Sequence, residues 1–227
     1  MKVTFFGTGG SIPALYNTTS MEVVASNGDE YIFDGGSGIR ELGNQLFGRG
    51  FAPGQKGKAK IFLSHFHYDH LQGLPFFGPG YVAGNEIEIF GYTRNEKSLE
   101  ELLTRHMETP FFPVPLPLQK GFTAFNDITP GDHFENGVQI SSIDGNHAGG
   151  SLVYAIHEGD SKVVFGTDYE IDGFVMGEEF GPKDRALIDF ARDADVLVWD
   201  SQYTPEEYIP AQNGKAKSFG NYLQTQH

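Results

Sequence analysis

The stretch IFLSHFHYDHLQGLP, residues 61–75, limits most tightly what this chain can become. Of eight histidines in the chain, three (His65, His67 and His70) fall within six positions, with Asp69 among them. They follow an apolar run and precede Gly73 and Pro75. Core packing gives no reason for such a cluster. His65 and His67 are two apart at the end of an expected strand, so continuation of that strand points both side chains to one face. Asp69 and His70 come as the chain turns. Imidazoles and a carboxylate then converge on one small volume. That donor set suits a borderline divalent cation, Zn²⁺ foremost, then Mn²⁺ or Fe²⁺. The chain contains no cysteine, so any metal must sit on histidine and carboxylate.

Two further residues repeat the pattern of strand end, ligand type and turn. His147, in DGNHAGG, ends an expected strand and enters a glycine-rich turn. Asp168, in VVFGTDYE, ends an apolar strand, where an aspartate's ordinary role is to cap a turn. Loops at strand ends are where a scaffold places functional groups. His106 in a charged helix, His133 in a turn and His157 in a strand are read as structural or solvent-facing.

Periodicity places strands at 3–7, 21–26, 30–36, 58–65, 85–92, 138–147, 151–159, 162–169 and 195–202. Helices are expected at 37–50, 98–108 and 182–194; Asn95 and Ser98 are candidate caps for the second, and Pro182 stands in the first turn of the third. The proline-rich PFFPVPLPLQ, 110–119, reads as an extended connector, or as a flap over a pocket. Strands dominate both halves and no linker separates them. The expected fold class is therefore α+β, two sheets packed face to face with helices outside, as one domain over 1–227.

The net charge of −14 excludes a broad nucleic-acid surface, which needs clustered Lys and Arg. A small phosphorylated substrate stays open, because a metal supplies positive charge locally. MKVTFFGTGGSIP lacks the run of about 7–15 apolar residues of a signal peptide. No window approaches the roughly 18 apolar residues of a membrane span. The expectation is a cytoplasmic protein without membrane contact.

HFHYDH (65–70) matches the His-x-His-x-Asp-His signature of the metallo-β-lactamase superfamily, and the chain resembles that superfamily along most of its length. GTGGSIP (7–13), FDGGSGIRELG (33–43), GLPFF (73–77), NHAGG (146–150), FGTDYE (165–170) and DSQYTPEEY (200–208) resemble successive blocks of one branch. That branch holds phosphodiesterase-type hydrolases related to ribonuclease Z and to the cyclic phosphodiesterases of phosphonate metabolism. The resemblance implies a four-layer αββα sandwich with two divalent metals at the sheet edges. His65, His67 and His147 would hold one, Asp69 and His70 the second, and Asp168 would bridge them. Asp69 would also orient the attacking hydroxide, and the Gly7–Ser11 loop, with Gly9, Gly10 and Ser11, could offer backbone N–H groups to phosphate.

The C-terminal end departs from the family pattern. Where a Gly-His-Ser/Thr motif is expected the chain reads NGKAKSFGNY, with Lys217 in the place of the histidine that assists the leaving group. A last helix and strand, carrying a final histidine ligand, would need about 20 more residues than the chain has beyond this point. Either the C-terminal helix and strand are missing from the domain, or His227 or a residue of a second chain in a homodimer fills that position, or the second metal is weakly held. The expected function is a metal-dependent phosphodiesterase acting on a small or cyclic phosphodiester. The alternatives are a non-hydrolytic di-iron protein for oxygen or nitric oxide, and a degenerate regulatory module.

Overall fold

The computed structural model describes residues 1–11, 16–94, 97–171 and 180–200. Among them, six strands form one sheet in the order β1 (Lys2–Gly7), β2 (Ser20–Val24), β3 (Glu30–Phe33), β4 (Lys58–Phe62), β5 (Glu86–Gly91), β6 (Phe122–Asp127). β1 to β3 pair antiparallel, and β3 to β6 run parallel. Five more strands form a second sheet: β11 (Val196–Trp199), β10 (Ser161–Gly166), β9 (Ser151–Glu158), β8 (Val138–Gly145) and β7 (Gly131–Glu135). β11 is parallel to β10, and the remaining pairs are antiparallel.

Strand alternation explains the layering. Tyr31, Phe33 and Phe62 point toward the second sheet and pack with Leu152, Tyr154, Ile156 and Phe165. Their neighbours Ile32 and Ile61 point the other way, onto Ile39, Leu42 and Leu46 of α1 (Ile39–Leu46) and Leu99 and Leu103 of α3 (Leu99–His106). On the outer face of the second sheet, Val153, Ala155 and Val164 pack with Leu187 of α4 (Pro182–Ala191). Strands buried on both faces have to be apolar at nearly every position, as YIF and KIFL are. The outcome is the expected four-layer αββα sandwich.

Several local expectations need correction. The helix expected over 37–50 holds its regular geometry only through Leu46; Gly50, at φ 103°, turns the chain out. The strand expected over 58–65 ends at Phe62, so His65 and His67 stand on an extended loop. Two strands escape the sequence reading, β6 and β7, and His133 lies in β7 instead of a turn. Ser98 caps α3 by accepting the Glu101 N–H, whereas Asn95 lies outside the described residues. The proline-rich stretch is not uniformly extended: Leu116–Leu118 forms a short 3₁₀ turn that buries Leu116 in the helix-side core.

Hydrogen bonds between the sheets hold the edge where the histidines emerge. The buried Tyr154 hydroxyl donates to the Leu63 carbonyl at 2.8 Å, and the Leu152 N–H donates to the Ser64 carbonyl at 2.8 Å. Both carbonyls belong to the two residues that lead into His65.

Candidate metal centre

Every candidate ligand within the described residues meets at that edge. One ligand atom each from His65, His67, His147 and Asp168 lies within 4.8 Å of the others, and so do those of Asp69, His70 and Asp168. Asp168 belongs to both groups. Its Oδ2 is 3.4 Å from His65 Nε2, 3.2 Å from His70 Nε2 and 3.7 Å from His147 Nε2. His147 Nε2 is 3.0 Å from His67 Nδ1.

The loop after β4 delivers the first two histidines, and the short helix α2 (Tyr68–Leu71) turns Asp69 and His70 inward. Two glycines let α2 lie against the chain after β3. A Cβ on Gly73 would stand 2.0 Å from the Gly36 carbonyl oxygen, and one on Gly36 would stand 2.6 Å from that of Asp69. Asp168, just beyond β10, adopts φ 52°, a left-handed conformation that aspartate tolerates better than most residues.

One residue that the sequence reading assigned no role is central here. Asp34, fully buried and at φ 61°, accepts three hydrogen bonds. They come from the Ser64 N–H at 2.7 Å, the Ser64 hydroxyl at 2.8 Å and His70 Nδ1 at 2.7 Å. Holding Nδ1 leaves Nε2 of His70 as the atom that faces the cleft, the carboxylate–histidine arrangement that orients metal ligands. Ser64 Oγ lies 3.0 Å from His65 Nδ1 and fixes that ring similarly.

The donor set fits a cation. Nε2 of His65 and Nε2 of His70 are buried without a hydrogen-bond partner, although buried polar atoms are normally satisfied. Both face the Asp168 carboxylate. Burial disfavours the charged form of His70, but Asp34, Asp168 and Asp69 overcome it and push its pKa up to about 12. Burial works to raise the Asp168 pKa, yet the facing His65 and His70 rings hold it well below the usual carboxylate range. In Asp69 burial is likewise outweighed by His70, and the pKa is lowered. His67 is shifted down by burial and by the charge of His65 and His147, which keeps a lone pair available for coordination. The carboxyl groups of Asp34, Asp69 and Asp168 around one histidine call for positive charge at this point.

Of the proposed phosphate loop, Gly9 donates its N–H to the Asn17 carbonyl at 2.9 Å, which commits that amide within the loop; Gly10 and Ser11 are exposed. Lys217 and His227 lie outside the described residues, as does most of the DSQYTPEEY block.

Residues 31–216 match the family described as the Beta-lactamase superfamily domain, and the chain belongs to it. Among curated relatives, ribonuclease Z of Natronomonas pharaonis is 28% identical over 212 residues, covering 92% of this chain and 63% of the relative. Ribonuclease Z of Haloarcula marismortui is 28% identical over 186 residues, covering 80% of this chain and 53% of the relative. The chain thus spans between about half and two-thirds of those proteins' length. Among solved structures, human tRNase Z, short form, superposes with a TM-score of 0.63 at 19% identity, covering 99% of this chain and 89% of that one. The metallo-beta-lactamase fold protein YhfI from Bacillus subtilis gives 0.57 at 18% identity, covering 86% of this chain and 69% of that one. At such identities the likeness establishes the fold alone.

Proposed function

We propose that this protein is a metal-dependent phosphodiesterase acting on a small or cyclic phosphodiester. The observation that carries the reading is the pair of buried, unpartnered Nε2 atoms of His65 and His70, both facing Asp168. In this reading His65, His67 and His147 would hold one divalent ion, Asp69 and His70 would hold a second, and Asp168 would serve both; zinc would suit the donors best. Ions held there supply an activated water at neutral pH and positive charge for the non-bridging phosphoryl oxygens. Asp69, kept ionised, accepts a hydrogen bond from the attacking water and so orients its lone pair toward phosphorus. Asp34 and Ser64 keep the His70 and His65 rings in register through the cycle. Gly10 and Ser11 are the loop positions left to meet a phosphate oxygen, and Lys217 is the proposed donor to the leaving group.

The relatives' name favours hydrolysis of a phosphodiester over di-iron gas binding or a regulatory module. The net charge of −14 favours a small substrate over a long nucleic acid. Substituting Asp69→Ala or His67→Ala is expected to abolish turnover of bis(p-nitrophenyl) phosphate by zinc-loaded protein while leaving the circular dichroism spectrum unchanged. Wild-type turnover in either variant contradicts the assigned roles.

A further inference from the structure

We infer that Arg94 is an anion-reading residue beside the metal centre, and that the substrate carries a second phosphate group next to the one that is hydrolysed. The inference rests on the phosphodiesterase reading above and extends it to the substrate's chemistry.

Arg94 follows β5, whose parallel neighbour β4 leads into the histidine loop, so both emerge at one edge of the sheet. Its guanidinium lies against the turn that follows His147. A Cβ on Gly150 would stand 2.2 Å from Arg94 Nε, so the guanidinium packs directly over this glycine. One residue earlier, a Cβ on Gly149 would stand 3.8 Å from His67 Nε2. Consecutive Cα atoms are about 3.8 Å apart. The guanidinium and a proposed metal ligand therefore contact adjacent residues of one short turn.

Four features hold Arg94 in this place. Its backbone takes φ 56°, uncommon for a residue with a side chain. The Tyr92 ring lies under the guanidinium, 4.7 Å from its centroid. Nη2 donates to Asp144 Oδ1 at 2.8 Å, and both Gly149 and Gly150 adopt left-handed φ angles, 80° and 82°. Asp144 is its only hydrogen-bonding partner among the described residues. A guanidinium has five N–H donors in a planar fork. Donors therefore remain for an anion while Asp144 and Tyr92 keep the fork in position. The side chain is 38% exposed, so a ligand can reach it.

Charge argues against a purely decorative arginine. The cleft already concentrates Asp69, Asp168 and Glu170, and the chain carries only 16 lysines and arginines against 30 acidic residues. A substrate with one phosphate would be neutralised by the metals alone. A second phosphate would meet carboxylates unless a fixed cation stood beside the site, and arginine's fork suits phosphate bidentately.

The test is calorimetric titration of the zinc-loaded full chain with thymidine 5′-phosphate and with thymidine 3′,5′-bisphosphate. Wild type is expected to bind the bisphosphate about tenfold tighter, Arg94→Gln to lose that preference, and Arg94→Lys to keep part of it. A third ligand, the bisphosphate methylated on its 3′-phosphate, separates sources: equal affinity means a chain linkage is read, and weaker affinity means a terminal phosphate is read. Zinc content is measured alongside. The inference is overturned if wild type shows no preference, or binds neither ligand. It is equally overturned if Arg94→Gln keeps the preference, or loses zinc together with affinity for both ligands, which would make Arg94 a pin for the His147 turn. Bis(p-nitrophenyl) phosphate turnover reports separately on the phosphodiesterase reading.

Discussion

Asp34 contacts no proposed substrate position, yet it determines which nitrogen of His70 faces the cleft. Replacing it by asparagine keeps the volume and removes the charge that both supports the ring and accepts from Ser64. Substitutions of residues that orient metal ligands typically cost about 10–100-fold in metal affinity. Asp34→Asn is therefore expected to weaken zinc binding by about that factor in chelator competition; an unchanged affinity removes Asp34 from the account. The contrast with the histidine cluster shows what a sequence carries. His65, His67, Asp69 and His70 are legible because they are close in the chain, and His147 and Asp168 because each ends an apolar strand. Asp34 also ends a strand, but FDGG reads as an ordinary turn. Its role depends on residues 30 and 36 positions away.

Elements became visible in the sequence where both faces are buried or one face is cleanly apolar. β3, β4 and β9 each carry an apolar run, YIF, IF and LVYAI, and α3 has its serine cap. β6 is half-exposed and β7 is a polar edge strand opened by Gly131, so neither shows an apolar period. Close approach of elements is also invisible to periodicity. Gly73→Ala forces α2 away from Gly36 and is expected to cost about 1–3 kcal/mol of stability and to weaken metal retention, measured by denaturant unfolding and zinc content. Stability unchanged within error would show that the helix can shift freely. On the helix side of the first sheet, Glu30 is buried beside Glu22, with Arg49 bridging the two. Burial first, then the neighbouring Glu22, raises the Glu30 pKa to about 7. An acid whose folded pKa lies above its unfolded value, near 4.5, stabilises fully below 4.5. That contribution is lost as pH rises toward 7. Wild type should therefore fall relative to Glu30→Gln between those limits, by on the order of 1 kcal/mol. Parallel melting curves across the interval would contradict the shift.

At the scale of the whole molecule, two sheets meet so that strand ends from each deliver ligands to one cleft: His65 to His70 from the first, His147 and Asp168 from the second. Tyr154 couples them through its bond to Leu63. Tyr154→Phe leaves that buried carbonyl short of a partner, at about 1–3 kcal/mol, and is expected to lower both the melting temperature and zinc retention. None of the described helices is long and apolar enough to cross a membrane. The sandwich was legible in the order of apolar strands, whereas the convergence of its edges follows from packing that no single segment records. The most direct test is anomalous scattering at the zinc edge from crystals of zinc-loaded protein. The account predicts density bounded by His65, His67, Asp69, His70, His147 and Asp168, with donor atoms about 2.0–2.2 Å from the metal. Fully loaded crystals with zinc bound elsewhere, and none between those side chains, would contradict it.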